Sequence, residues 1–335
     1  MIDEVKNMKR STWKFQPPIP QTSINCHQFL AYANLLSEYT AKRLSFDSDI
    51  LNAFTGILHQ VFEGTSKDTC GLPERDFDAA LLWFPQEQAK RRGLIKLHQE
   101  HGQAESYFFP SWSWAGWKDT PIVYPIDTTG ETSTWETRQL KSCINTFNIL
   151  SPGNEARLIE KRHILLPRSY FGIEQEDLVS NAELSVVTSE ILIFHADFVP
   201  LLQLPLGHRL ASEPADPYSP TVWQLSDSLG RRCGIFISDV GEINTAMESF
   251  DWILLSQNQN LEFRPEAPEL WLRLSKEEIY DVSYFGGEWV TGNLMLIQWV
   301  RQYGRGVVAE RVGMGFVHMQ AWESLCVGNK VVRLI

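Results

Sequence analysis

Phe109-Pro110-Ser111-Trp112-Ser113-Trp114-Ala115-Gly116-Trp117 sets three tryptophans within six residues, separated only by small side chains. Pro110 before them and Gly116 among them oppose a regular helix. In an extended chain Trp112 and Trp114 share one face, while Ser111 and Ser113 take the other. Each indole can bury on the order of 200 Å² and carries one N–H that needs an acceptor. Two roles fit: a core anchor where two parts of the chain meet, or an exposed aromatic platform for a sugar or a partner.

The chain before this stretch reads as helical. Residues 1–20 are polar, end in Pro17-Pro18-Ile19-Pro20 and are expected to form a leader or linker with little structure. From Cys26, Phe29, Ala33 and Leu36 form an apolar stripe, with Tyr32, Leu35 and Tyr39 beside it. The strongest helical period follows Asp47-Ser48: Ile50, Leu51, Phe54, Ile57, Leu58, Val61 and Phe62, closed by Gly64. Phe77, Ala80, Leu81 and Phe84 predict a third helix over 76–84, stopped by Pro85.

Beyond the tryptophans the pattern shifts to short apolar runs rich in β-branched and aromatic residues. Strands are expected at Ile122–Tyr124, Ile191–Phe194, Cys233–Ile237, Trp252–Leu255 and Leu294–Val300, with loops at 205–220 and 264–268. Residues 155–162 suit a short helix. The fold class is therefore α+β, a small N-terminal helical unit packed on a mainly antiparallel β-sheet or sandwich. The divisions expected are a leader at 1–20, a helical unit at 21–105 and a β-rich unit at 106–335, the last two alternatively forming one continuous body.

FPSWSWAGW, preceded by GLPERDFDAALLWF (71–84) and the pair Arg91-Arg92, resembles the region downstream of the HET domain in fungal heterokaryon-incompatibility proteins. YTAKRLSFDSDILNAFTGIL (39–58), DWILLSQ (251–257) and GVVAERVGMGFVH (306–318) follow the same resemblance in the same order. Tyr39, Arg43, Leu44, Asp49, Asn52, Ala53, Phe54 and Gly56 fall on its recurring positions. The HET domain's own SYxWG-like and W-[IL]-D-x-[IL]-C-I-x-Q-like blocks do not occur in this sequence. The resemblance places Met1 about where that domain would end. It implies an accessory region in self/non-self recognition and regulated cell death, working through protein partners that include HET-domain relatives. An NAD-consuming activity would need the domain that is not here.

Composition narrows the classes. With 335 residues, 43% hydrophobic, 21% charged and twelve tryptophans, the chain has material for a large aromatic core. A net charge of -11 disfavours nucleic acid and anionic membrane as partners. Cys26, Cys70, Cys143, Cys233 and Cys326 form no CxxC pair, so no zinc ribbon or thioredoxin-type site is signalled, and a reducing, cytoplasmic compartment is expected. No secretory h-region, N-x-[ST] sequon or apolar run near 18 residues is present.

Chemistry is thinly signalled. Gly304-Arg305-Gly306-Val307-Val308-Ala309 fits G-x-G-x-x-[GA], but the valines and Gly313 and Gly315 after it suit a second strand and a hairpin, not a phosphate-binding helix. His98 and His101 lack a third metal ligand and read as a polar loop. No G-x-S-x-G elbow occurs; Glu174/Glu176 and Glu277/Glu278 would serve glycoside hydrolysis only if folding set the carboxylates about 5–9 Å apart, and the adjacent Glu277/Glu278 read as solvent-facing acids. No cofactor, metal or catalytic residue is assigned. The candidates are structural or interacting: an Arg43–Asp49 pair across a helix–helix loop, with Asn52 beside it; Arg91 and Arg92, stacked on Trp112 or Trp114 or else a solvated turn; Trp112, Trp114 and Trp117; Trp252; Arg311, facing away from Glu310 on a strand; and His318, with Trp322, on the terminal strands. The alternative function is a tryptophan-rich carbohydrate-binding module or glycoside-active enzyme.

Overall fold

The computed structural model describes residues 24–44, 46–64, 66–99, 102–107, 109–124, 139–151, 155–161, 190–210, 220–240, 243, 249–259, 276–287, 289–302 and 306–335. The leader at 1–20, Glu174/Glu176 and the 264–268 loop lie outside them.

Helix α1 (Ile24–Thr40) buries Phe29, Tyr32, Ala33 and Leu36, the i, i+3, i+4, i+7 stripe of its sequence. Helix α2 (Ile50–Val61) buries Ile50, Phe54 and Leu58, and the Tyr39 hydroxyl ties the two helices by donating to Ile50 O at 2.8 Å. Gly64, with φ +68°, closes α2 by donating to His59 O at 3.0 Å. The third helix is far shorter than its period suggests: α3 is one turn, Phe77–Ala80. Pro85 pushes the residue before it into extended backbone, and Phe84 pairs with Val123 instead.

Four small two-stranded ladders lie within residues 68–123: β1–β2 (Asp68–Thr69, Leu72–Pro73), β3–β8 (Phe84–Pro85, Ile122–Val123), β4–β7 (Lys90–Arg91, Trp117–Lys118) and β5–β6 (Leu94–Gln99, Gly102–Tyr107). His98 thus belongs to a hairpin strand rather than a loop; the turn at 100–101 is outside the described residues.

The remaining strands form one large sheet. They are β9 (Gln139–Ser142), β10 (Asn148–Leu150), β11 (Ala156–Leu158), β12 (Ile191–Pro200), β13 (Leu206–Leu210), β14 (Thr221–Ser226), β15 (Arg232–Ser238), β16 (Ser249–Gln259), β17 (Val290–Gln302), β18 (Gly306–His318) and β19 (Gly328–Leu334). All five predicted strand runs fall on strands. Residues 156–158 are extended rather than helical, because they pair with β10. The expected 205–220 loop begins with β13. Trp322 sits on the short helix Met319–Glu323, not on a strand.

Pairing is antiparallel except at Ala309↔Leu334, where β18 and β19 run parallel. The ladder β12–β16–β17–β18–β19 returns to β12, so its hydrogen bonds close a circuit. β17 and β18 form the expected hairpin, with Gln302 opposite Gly306.

Both faces of the central strands are covered. Leu294 and Leu296 meet Trp252, Phe236 and Trp322 on one side. Met295 and Ile297 share the other side with the helices and the tryptophans. Burial on both faces is why these strands read as unbroken apolar runs. One apolar cluster extends from Phe29 through Trp112 and Trp114 to Leu334 without a break at 105.

Candidate functional site

The tryptophan stretch is a knot of turns, not the extended segment its alternation suggests. Ser113 N–H donates to Pro110 O at 3.3 Å and Gly116 N–H to Ser113 O at 3.1 Å. The Ser113 hydroxyl accepts from Ala115 N–H at 3.0 Å and donates to Cys70 O at 2.6 Å. Turning lets the three indoles reach three different neighbours. Trp112 meets Phe77 with ring centres 6.3 Å apart, Trp114 meets Phe54 at 5.1 Å, and Trp117 meets Trp83 at 6.2 Å. Trp112, Trp114 and Trp117 are all buried, so the core-anchor role holds and no exposed platform exists at this stretch.

The arginines fasten the knot. Arg91 lies over Trp117, 5.1 Å from the ring centre, rather than over Trp112 or Trp114. It also donates to Gly116 O and Phe109 O, both at 3.2 Å. Arg92 is buried, donates to Ala115 O and Trp117 O, and reaches Asp47 Oδ1 at 3.0 Å. Lys118 takes Oδ2 of the same carboxylate at 2.7 Å. The expected Arg43–Asp49 pair does not form: Arg43, Asp49 and Asn52 are all exposed, and Asp47 is the loop acid that is gripped. Asp47 wins because β4 and β7 bring two cations to it, whereas Asp49 is turned outward at the start of α2.

Arg311 joins this knot to the sheet. Its Nε donates to Asp239 Oδ2 at 2.7 Å, its Nη1 to Leu81 O at 2.9 Å and its Nη2 to Trp83 O, while its guanidinium stacks 3.5 Å from the Trp83 ring centre. Its backbone N–H donates to the Ser111 hydroxyl at 2.9 Å, and that hydroxyl donates to the main-chain oxygen of Ile335. Trp83 Nε1 donates to Trp112 O at 3.0 Å, closing the joint. Burial pushes Asp239 above the usual carboxylate range and Arg311 below its own, while their mutual attraction opposes both shifts. Arg311 faces inward and Glu310 the other way, as strand alternation requires.

Segments 39–58, 71–84, 91–92, 109–117 and 306–318 therefore meet in one buried place, although Arg311 and Leu81 are 230 residues apart in sequence. DWILLSQ joins them only through Ile253 and Leu255, which lie in the same apolar cluster as the tryptophans. Trp252 lies in the other core, its Nε1 donating to Leu204 O at 2.8 Å beneath Phe236. His318 is also elsewhere: its Nδ1 caps the Met319–Glu323 helix by accepting from Gln320 N–H at 3.3 Å, with the Tyr284 and Trp289 rings within 5 Å. Nearby, Asp227 accepts from the Tyr284 hydroxyl at 2.6 Å and pairs with Arg231 at 2.7 Å.

Sequence reasoning missed Asp239, Ser111, Asp47 and the turn at Cys70-Gly71. Only the Gly in that turn carries a local signal. Chemically, the described groups are built for holding. Burial pushes the Cys143 thiol to about 11, Cys233 to about 12 and Cys70 well above its ordinary value, so each is a protonated thiol at neutral pH. Among the described residues no cluster of three or more His, Cys, Asp or Glu side chains is arranged to hold a metal ion. No described helix is long and apolar enough to cross a membrane. Glu277 and Glu278 are exposed.

The fold and joint define a mixed α+β protein organised about an internal arginine–tryptophan lock. Compared with family models, curated proteins and solved structures, the chain matches none.

Proposed function

We propose that the chain is an accessory region of the fungal HET-type incompatibility system, acting through protein contacts and not through chemistry of its own. One observation carries this reading. The blocks that carry the resemblance pack into one buried cluster, DWILLSQ through Ile253 and Leu255, and hydrogen bonds tie the others together around the Arg311 joint. Residues so used stabilise a scaffold and present its surface; they are not positioned to bind and turn over a substrate. The partners on this reading are HET-domain relatives in the cytoplasm, and the role is regulation of cell death on self/non-self recognition. The sugar-binding alternative loses its strongest argument, since its indoles are buried.

The test is co-expression in a filamentous fungus with a full-length HET-domain relative, reading hyphal viability. The chain alone should leave viability unchanged, and with the relative it should alter the death response. Death, or loss of cellular NAD, caused by the chain alone would sink the reading.

A further inference from the structure

Phe46 is 68% exposed, the one aromatic among the strongly exposed large apolar side chains of the described residues. It is held there rather than left loose. Its carbonyl accepts from Asp49 N–H at 3.2 Å, and its neighbour Asp47 is clamped between Arg92 and Lys118. Arg92 is buried and anchored to the carbonyls of Ala115 and Trp117, so Asp47, the residue after Phe46, is tied to the tryptophan knot. An exposed apolar side chain on backbone that is already held leaves less to order on binding.

The surroundings specify a partner. Lys42 and Arg43 are exposed, and neither forms an ion pair among the described residues. The charge of Asp47 is already matched by Arg92 and Lys118, leaving Asp49 as the loop's unmatched acid. Two cations unpaired among the described residues thus precede Phe46 by four and three positions in a chain of net charge -11. The outer row of α2 that starts one turn later, Asn52, Ala53 and Gly56, is exposed and low in relief. Nothing lies within 4 Å of where a Gly56 Cβ would sit, so no internal contact explains a glycine that weakens the helix.

We infer that Phe46, on the Asp47 clamp at the start of α2, is a docking anchor, with Lys42 and Arg43 as its charged company. Its partner is a protein segment apolar at its centre and rich in carboxylates around it. The cations guide approach and orientation, and Phe46 supplies the buried contact. The inference rests on the protein-contact reading above, but a peptide can be tested on the anchor without any cell-death assay, so the two fail separately.

The probes are two synthetic amphipathic helical peptides with the same leucine face, one with a glutamate polar face and one with a lysine polar face. Calorimetric titration is run against the full chain, Phe46→Ser and the double variant Lys42→Glu/Arg43→Glu. The glutamate peptide should bind and the lysine peptide should not. Phe46→Ser should weaken binding on the order of tenfold or more without moving the melting temperature. The double charge reversal should weaken it and flatten its salt dependence. Absence of binding by the glutamate peptide, equal binding by both peptides, or unchanged binding to Phe46→Ser overturns the inference. Self-association by sedimentation that Phe46→Ser abolishes overturns it too, by assigning the anchor to a second copy of the chain.

Discussion

Arg311 donates through Nε to Oδ2 of Asp239 across 2.7 Å, and neither side chain reaches solvent. Such a pair is costly to halve. Arg311→Met would leave Asp239 buried with its charge unmatched, and should cost about 3–5 kcal/mol in urea unfolding. Arg311→Lys should fall between, because an ammonium cannot span Asp239, Leu81 O and Trp83 O as the guanidinium fork does. Arg311→Met combined with Asp239→Leu should regain part of the loss. A double variant as unstable as the two single losses added would refute coupling between the two residues.

The tryptophans separate by their N–H groups. Trp114 Nε1 donates to Gly71 O and to the Tyr32 hydroxyl, both at 3.1 Å. Trp112 Nε1 is buried with no acceptor among the described residues. Alanine at either position should cost about 3–5 kcal/mol, as for any large core aromatic. Phenylalanine should discriminate between them. Trp114→Phe gives up the indole's bonds to Gly71 O and the Tyr32 hydroxyl, leaving Gly71 O only the Tyr32 hydroxyl at 3.0 Å, whereas Trp112→Phe removes an unmet donor and should be milder by about 1 kcal/mol. Thermal melts showing the reverse order would contradict this assignment of partners.

What the sequence made legible follows from where each side chain faces. Ile50, Phe54 and Leu58 announce α2 because one face is buried and the other wet. Trp252–Leu255 announces β16 because both faces are covered. The joint was half visible. Trp112, Arg92 and Arg311 stand out by residue type, but Asp239 and Ser111 are common residues whose roles depend on partners 72 and 200 positions away. Asp47 and Asp49 are equivalent as sequence; strands β4 and β7 decide between them. β19 hides because Lys330 and Arg333 interrupt its apolar run while their neighbours pair with β12.

The two residues of the Cys70-Gly71 turn should respond very unequally to substitution. Both residues have positive φ, +50° and +83°, in a two-residue connection between β1 and β2. That geometry prefers Asn-Gly. Gly71→Ala would place a Cβ 2.6 Å from the Trp114 ring and 2.9 Å from Leu51 Cδ2, so it should destabilise by several kcal/mol. Cys70→Asn relieves left-handed strain but gives up the thiol's bond to Glu190, 3.0 Å away. The net should stay within about 1 kcal/mol of zero, against the large loss at Gly71. Comparable urea midpoints for the two variants would show that the ring contact does not limit this turn.

The clamp on Asp47 sets a pH window for the α1–α2 turn. Burial raises this carboxyl, but the hydrogen bond and charge of Lys118, joined by Arg92, more than reverse that effect, and the net shift is downward. A carboxylate with a lower pKa in the folded chain stabilises it fully above the unfolded value, about 4. The contribution disappears as pH falls through the still lower folded value. Stability should therefore be insensitive to this group between pH 7 and 5 and decline only below about 4. Asp47→Asn should remove about 1 kcal/mol at pH 7, after allowance for solvent screening of a carboxylate 31% exposed, and leave the two proteins closer in stability at pH 3. Urea unfolding of both proteins at pH 7, 5 and 3 measures the difference. A gap that persists unchanged at pH 3 would mean that the turn is held by its backbone and by Leu44 packing, not by the ion pairs.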